Sequence, residues 1–288
     1  MNNSPQTNAN PSTNLEQVHL KKSLCWQSEA KAERFLQSTK QSHSAISIKV
    51  VCDIFGRYCR PGDKVLDAGC ATGSTSYYLH DIGCDVVSMD ISQQMLDVLE
   101  RNKGQREIEL RRGDVCAIPA QDGEFDVVTA RMFINHVPKW KDAIREMARV
   151  CKPGGTVIYN FHSSENRDIA VKYANREYNS PSTPNCDEVV EKGMDFMGEC
   201  SKEEAIELSR ELGFSHCEVI PCLFMCANYL LGHSMGTDKF NEFQVQMNEW
   251  IESQPVIGEF YRWLESTMVE HLPIWATLNN VTVMRNKA

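Results

Sequence analysis

The chain has 288 residues, 42% apolar and 24% charged, with a formal net charge of -9. That length suits one large α/β domain with elaborations or two small domains. The acidic balance argues against a nucleic-acid partner, which usually needs a basic footprint. Twelve cysteines are scattered without a C-x-x-C pair, so neither a zinc ribbon nor a thioredoxin motif is indicated, and reduced thiols of a cytoplasmic protein are expected.

The first residues, MNNSPQTNANPSTN, are polar and lack the apolar segment of a signal peptide, so residues 1–20 are expected to be a disordered tail. Residues 21–60 are expected to be an N-terminal helical extension. Within it Ile48, Val51, Phe55 and Tyr58 share one helical face. Arg60-Pro61-Gly62-Asp63 breaks that helix. From residue 61 to the end, short apolar runs alternate with helical segments. KVLDAG, CDVVSMD (84–90), the weaker IELRRGD (108–114), FDVVTA (125–130) and TVIYNF (156–161) are predicted strands. Ser92 is a predicted helix cap, and Lys152-Pro153-Gly154-Gly155 a stop before the fifth strand.

After residue 162 the rhythm breaks. Insertions at about 163–200, with a helix near 165–178, and about 228–276 surround SKEE (201–204), a capping box, and CEVIPCLF (217–224), a sixth strand. NVTVMR (280–285) is a last strand. The longest apolar stretch, residues 219–231, is too short to span a bilayer. The pattern implies an α/β, Rossmann-like sheet covered on both faces, with ligands along the carboxyl ends of its strands. The insertions would project there as a substrate lid, or thicken the core, or form a homodimer interface; the sequence leaves these open.

The segment VLDAGCATG (65–73) carries the chemistry. A dinucleotide fold wants G-x-G-x-x-G, but Ala71 holds the second glycine position here, and no Walker lysine follows. A phosphate would be repelled by Asp67. S-adenosylmethionine fits better, having an ammonium, a sulfonium and a ribose diol but no phosphate. Asp67 can attract its ammonium, and Gly69 and Gly73 remove side chains from its path, with Cys70 between them. Asp90, ending strand two, can accept from both ribose hydroxyls. Ile91 and Met95 can sandwich the adenine, Asp114 can accept from its amino group, and Val115 can offer a backbone amide. Arg131 could pair with the methionine carboxylate or form only a surface ion pair.

VLDAGCATG, VVSMDIS, GDVCAIP, FDVVTARMFINHV and ARVCKPGGTVIYN together resemble the successive motifs of class I S-adenosylmethionine-dependent methyltransferases. They are most similar to the small-molecule branch that includes the ubiquinone and menaquinone biosynthesis enzymes. The resemblance covers residues 60–162 well and the last strands loosely. It implies a seven-stranded, mostly parallel sheet with an antiparallel last strand, and cofactor contacts at Asp67, Gly69, Gly73, Asp90 and Asp114.

Methyl transfer is an in-line displacement, so alignment and exclusion of water dominate. His136 and His162 are candidate bases at strand ends, each equally readable as a pocket-lining or structural group. Asn135 and Asn160 could bond an acceptor or only the backbone. Lid aromatics, with Trp26, would suit an apolar, aromatic or amine acceptor. No metal site is indicated. An arsenite-type methyltransferase using cysteine thiolates (Cys186, Cys200, Cys222 and Cys226 being the candidates) and a non-catalytic S-adenosylmethionine-binding protein are the alternatives.

Overall fold

The short apolar runs fold as neighbouring strands because a parallel strand is buried on both faces and needs side chains that tolerate this. β1 (Lys64–Ala68), β2 (Asp85–Asp90), β3 (Ile108–Arg112), β4 (Phe125–Ala130) and β5 (Cys151–Ser163) pair in parallel. β7 (His216–Cys222) and β8 (Asn279–Arg285) close the sheet, β8 running antiparallel to both β5 and β7. The order is β3-β2-β1-β4-β5-β8-β7. It reverses between β1 and β4, which is where α/β sheets place ligands. The structure is a computed structural model and describes residues 11–166, 168, 199–223, 237–277 and 279–286.

Two features depart from the predicted pattern. A two-residue strand, β6 (Glu199–Cys200), pairs with β5 off the main path. The Lys-Pro-Gly-Gly stretch is also no break in the strand. β5 starts at Cys151, and its pairing with β4 jumps from Phe125–Cys151 to Val127–Thr156, a bulge that Gly154 permits with φ 82°.

Alternation along the strands feeds two cores. Leu66, Val87, Val128 and Tyr159 pack with Ala143, Ile144 and Met147 of α6 (Trp140–Val150) and Leu208 of α7 (Lys202–Glu211). Val65, Val86, Val127 and Ile158 pack with Val51, Ile54 and Phe55 of α3 (Ser42–Gly56) and Leu79 of α4 (Ser74–Asp81). Full burial of a residue such as Phe55 contributes about 1.5–3 kcal/mol. The predicted caps form. Ser92 accepts from the Met95 amide to start α5 (Gln93–Asn102), and Ser201 and Glu204 make a reciprocal capping box at α7.

At the N-terminus, α1 (Pro11–Cys25) and α2 (Glu29–Thr39) precede α3. Helix α1 begins inside the stretch expected to be a disordered tail, and Val18 on it is buried. The expected first insertion lies largely outside the described residues. The described part of the second contains α8 (Thr237–Ser253) and α9 (Pro255–Trp263), whose Met247, Ile251 and Tyr261 join the α3 core.

Candidate active site

The loop after β1 is built from alternating left-handed residues, Gly69 at φ 69°, Ala71 at φ 47° and Gly73 at φ 94°. Glycine takes this region freely, whereas at Ala71 it carries strain of order 1–2 kcal/mol. Asp90 compensates, since its Oδ2 accepts from the Ala71 amide at 2.9 Å while Oδ1 accepts from the Ser92 amide at 2.9 Å. Burial pushes the Asp90 carboxyl up, partly offset by the bonds from Ser92 and Ala71. Each oxygen keeps acceptor capacity for a further donor.

Beside these loops lie two connected hollows of about 900 and about 440 Å³ that share Trp26, Gly69, Asp90, Ile91, Phe133 and His136 in their walls. The larger adds Cys70, Met95 and Arg131, and the smaller adds Asp114 and Val115. Nine of the sequence-derived cofactor and base candidates thus line one cleft: Gly69, Cys70, Asp90, Ile91, Met95, Asp114, Val115, Arg131 and His136. Three do not. Asp67 is buried one layer below, accepting from Ser76 Oγ at 2.6 Å, and Ser88 in turn donates to Ser76. Burial pushes its carboxyl up to about 6, against the Ser76 bond and the Arg131 charge. Gly73 is bare for packing reasons, because a Cβ there would meet Leu99 Cγ at 2.7 Å and Tyr77 Cζ at 2.9 Å. His162 is buried with Asn135 Nδ2 3.4 Å from its Nε2, and burial, then the His136 charge, lower its pKa to about 3.

The loop after β4 forms the opposite wall. Arg131 Nε donates to Thr75 Oγ1 at 2.7 Å. Met132 sits at φ 50°, held by its amide bond to Asn160 Oδ1 at 2.6 Å. This turn seats Phe133 so closely over Gly69 that a Cβ there would run into the ring. Asn135 and Asn160 are both buried, and Asn160 braces this loop, its Nδ2 also donating to Asn279 Oδ1 at 3.3 Å.

Several lining residues carried no sequence signal as site residues: His19, Ser23 and Phe35 from α1 and α2, with Phe133. Trp26, between α1 and α2, is the one of the aromatics expected to suit an acceptor that lines the cleft among the described residues. Its ring lies 6.0 Å from His136 and 6.3 Å from Phe35, both edge-on. His19 Nε2 is 2.7 Å from Asp114 Oδ2. Burial pushes the Asp114 carboxyl up, but the bonds from His19 and the Cys116 amide and the Lys139 charge outweigh it and hold it below the usual range. His19, Asp114 and Cys116 also bring three potential metal-donor atoms within 4.8 Å of one another. Burial and the Asp114 charge push the Cys116 thiol up to about 12. Among the described residues 237–276, none lines the cleft. Cys200 and Cys222 are buried away from it, and Cys186 and Cys226 lie outside the described residues.

Residues 66–159, which hold the loops just described, match the family described as methyltransferase domain. By this match the segment is a methyltransferase domain. Relatives include the demethylmenaquinone methyltransferase of Renibacterium salmoninarum, 39% identical over 110 residues, which are 38% of this chain and 45% of that protein. Another is the malonyl-[acyl-carrier protein] O-methyltransferase of Enterobacter lignolyticus, 35% identical over 33% of this chain and 38% of that one. Each match thus spans less than half of the relative's length. In fold, the methyltransferase domain with its flanks resembles the S-adenosylmethionine-dependent methyltransferase of Thermotoga maritima, with a TM-score of 0.54 at 17% identity over 90% of this chain and 97% of that one. Among the described residues no helix is long and apolar enough to cross a membrane.

Proposed function

We propose that the protein transfers the methyl group of S-adenosylmethionine to a small, largely apolar acceptor, in the cytoplasm. The observation that carries this reading is the placement of two strand-end carboxylates, Asp90 and Asp114, on one cleft with the bare Gly69 backbone beside them. The cofactor supplies an activated methyl on its sulfonium. Asp90 would hold the ribose hydroxyls, Asp114 the adenine amino group and the Val115 amide a ring nitrogen, with Ile91 and Met95 flanking the base. Arg131, whose Nε is tied to Thr75, would take the methionine carboxylate with its remaining N–H groups. Asp67, from beneath, would add negative charge under the ammonium. Such a donor set suits a phosphate-free cationic nucleoside and would repel a pyrophosphate.

A third hollow, about 700 Å³, shares Phe35, Arg131 and Met132 with the cleft. Ile48, Val51 and Leu223 give it apolar walls and Ser38, Thr39, Ser44 and Ser47 give it hydroxyls, while Arg131 is its one charged lining group among the described residues. That chemistry favours an apolar acceptor bearing oxygen over a cationic amine, which would lack a carboxylate and face a guanidinium. Demethylmenaquinone, the acceptor in the name of a relative, is the first to try. His136, on the cleft wall, is the residue placed to take a proton from a hydroxyl nucleophile. His162, buried and a far weaker base, orients the Asn135–His136 turn.

Titration calorimetry with S-adenosylhomocysteine tests the cofactor half, and no heat, alongside tight binding of NADH, would overturn it. Filling the third hollow with Ser47→Phe tests the acceptor half. Cofactor affinity should stay within about twofold while turnover falls at least about tenfold. Unchanged turnover would move the acceptor elsewhere.

A further inference from the structure

Nine cysteines among the described residues are unbridged, and most are buried in the core. Cys59 and Cys84 stand apart because their sulfurs meet. We propose that this pair is a redox-modification site, two thiols that hydrogen peroxide joins reversibly into a disulfide. The inference is independent of the methyltransferase reading, since it concerns neither the cleft nor its ligands.

Two segments pressed together build the site. Cys59 follows α3, and Cys84 immediately precedes β2. The Gly62 amide donates to the Gly83 carbonyl at 2.8 Å, and the Asp85 amide donates to the Asp63 carbonyl at 2.9 Å. Gly83 is so near Pro61 that a Cβ on it would lie 3.1 Å from Pro61 Cβ. Cys84 Sγ donates to the carbonyl of Arg60, the residue after Cys59, at 3.7 Å. The Cys59 thiol in turn donates to Cys84 Sγ. Bonds between the two backbones therefore keep the sulfurs in contact, and joining them asks for a shift of side chains rather than of the fold.

The same contact selects the nucleophile. The bond from Cys59 holds the Cys84 thiol below the usual range, against burial and the Asp63 charge, while giving that bond, together with burial, pushes Cys59 up. Burial alone leads in the other direction, raising Cys52 to about 11 and Cys151 to about 12. The thiolate is the reactive form. Cys84 Sγ attacks one oxygen of the peroxide, the O–O bond breaks, and the departing hydroxide takes up a proton and leaves as water. Cys84 is then a sulfenic acid. The Cys59 sulfur attacks the Cys84 sulfur, the S–S bond forms as the S–O bond breaks, and the hydroxide leaves as water with the Cys59 proton. Two thiols are oxidised and one peroxide is reduced to two waters. Cys84 is only 5% exposed, which suits a small oxidant better than a bulky disulfide. The product closes a loop over residues 59–84 that contains β1, the turn from Gly69 to Gly73 and α4.

The test treats the full chain with hydrogen peroxide, blocks the remaining thiols with iodoacetamide and reads the digest by mass spectrometry. The wild type should yield a cross-linked Cys59–Cys84 peptide, two hydrogens lighter than the two thiol peptides together, which dithiothreitol separates. The Tm of the cross-linked chain should rise by several degrees, because the closed loop restricts the unfolded state. In Cys59→Ser the cross-link should vanish, and dimedone should trap Cys84 as the sulfenic acid. Absence of the cross-link in the wild type, a bridge from Cys84 to another cysteine, or a Tm lowered by the cross-link would each overturn the inference.

Discussion

The cleft has two walls of different construction. The strand-end rim is fixed by backbone. The Gly69 amide donates to the Met89 carbonyl at 2.8 Å, Asp90 holds the Ala71 and Ser92 amides, and Asp114 holds that of Cys116. The N-terminal wall, α1 and α2, is fastened to the rim by side chains: His19 to Asp114, Glu16 to Lys139, Ser92 to the Trp26 carbonyl, and Gln27 to the Ile91 carbonyl at 3.4 Å. A wall held through several of its own amides cannot shift without breaking bonds at the sheet edge, whereas one fastened by a few side chains can open locally. The rim therefore sets whether a nucleoside binds, and the N-terminal wall sets how it is enclosed and released.

The sharpest way to break this contrast is at Asp90. Asp90→Ala removes the acceptor for the ribose and frees the Ala71 and Ser92 amides, and should weaken S-adenosylhomocysteine by about 100-fold or more in calorimetry. A loss of threefold or less would show that the rim does not govern binding. Next is Gly69→Ala. Its φ of 69° and the Phe133 ring over it both penalise a side chain. The variant should lose about 1–3 kcal/mol and several degrees of Tm. Pairing it with Phe133→Ala should recover the steric part of the loss but not the conformational part. If the two substitutions were additive in a double-mutant cycle, the ring would not be what fills the glycine's space.

A milder effect belongs to the N-terminal wall. Trp26 packs with Phe35, Met95 and Val98 and lines both hollows of the cleft. Trp26→Ala should lower affinity about tenfold, mainly through faster release in stopped-flow exchange, because the rim contacts stay intact. A slower association rate with unchanged release would assign Trp26 to entry rather than enclosure.

The same contrast explains what could be read in advance. An acid or glycine just after a short apolar strand is constrained at the level of residue type, so the positions of Asp90, Asp114 and Gly69 and of β1 to β5 along the chain were legible. His19, Ser23 and Phe35 are ordinary residues on helices, and their roles arise from where α1 and α2 come to rest. The sequence of α1, PSTNLEQVHLKKSLC, has few apolar positions and no apolar stripe, so its part up to residue 20 reads as tail and only its last turn as helical extension. Phe133 was hidden for another reason. Its position depends on the left-handed turn at Met132, and nothing in ARMFINH announces positive φ at a methionine. Gly73 was legible as a required glycine, but Leu99 and Tyr77 rather than a ligand occupy the space beside it. β6 is a two-residue pairing, too short to carry a periodic signal.

At neutral pH the smallest expected effect separates the two buried titratable groups beneath the cleft, since it emerges only below about pH 6.5. His162 is held neutral, its pKa lowered from 6.5 to about 3 by burial and then by His136. The unfolded chain binds a proton there below about 6.5 while the folded chain does not, so the His162 contribution to stability is lost as pH falls from about 6.5 toward 3. Asp67 acts with the opposite sign. Its carboxyl is raised from 3.8 to about 6, so the folded chain takes up a proton that the unfolded chain still lacks, and the contribution grows as pH falls through about 6. Asp90, also raised by burial, adds to the Asp67 side. Urea unfolding at a series of pH values should therefore show His162→Gln losing stability more gently than the wild type on acidification, and Asp67→Asn losing it more steeply. Parallel curves for all three proteins would mean that neither group changes its proton affinity on folding, and that the layer under the cleft is wetter than its packing indicates.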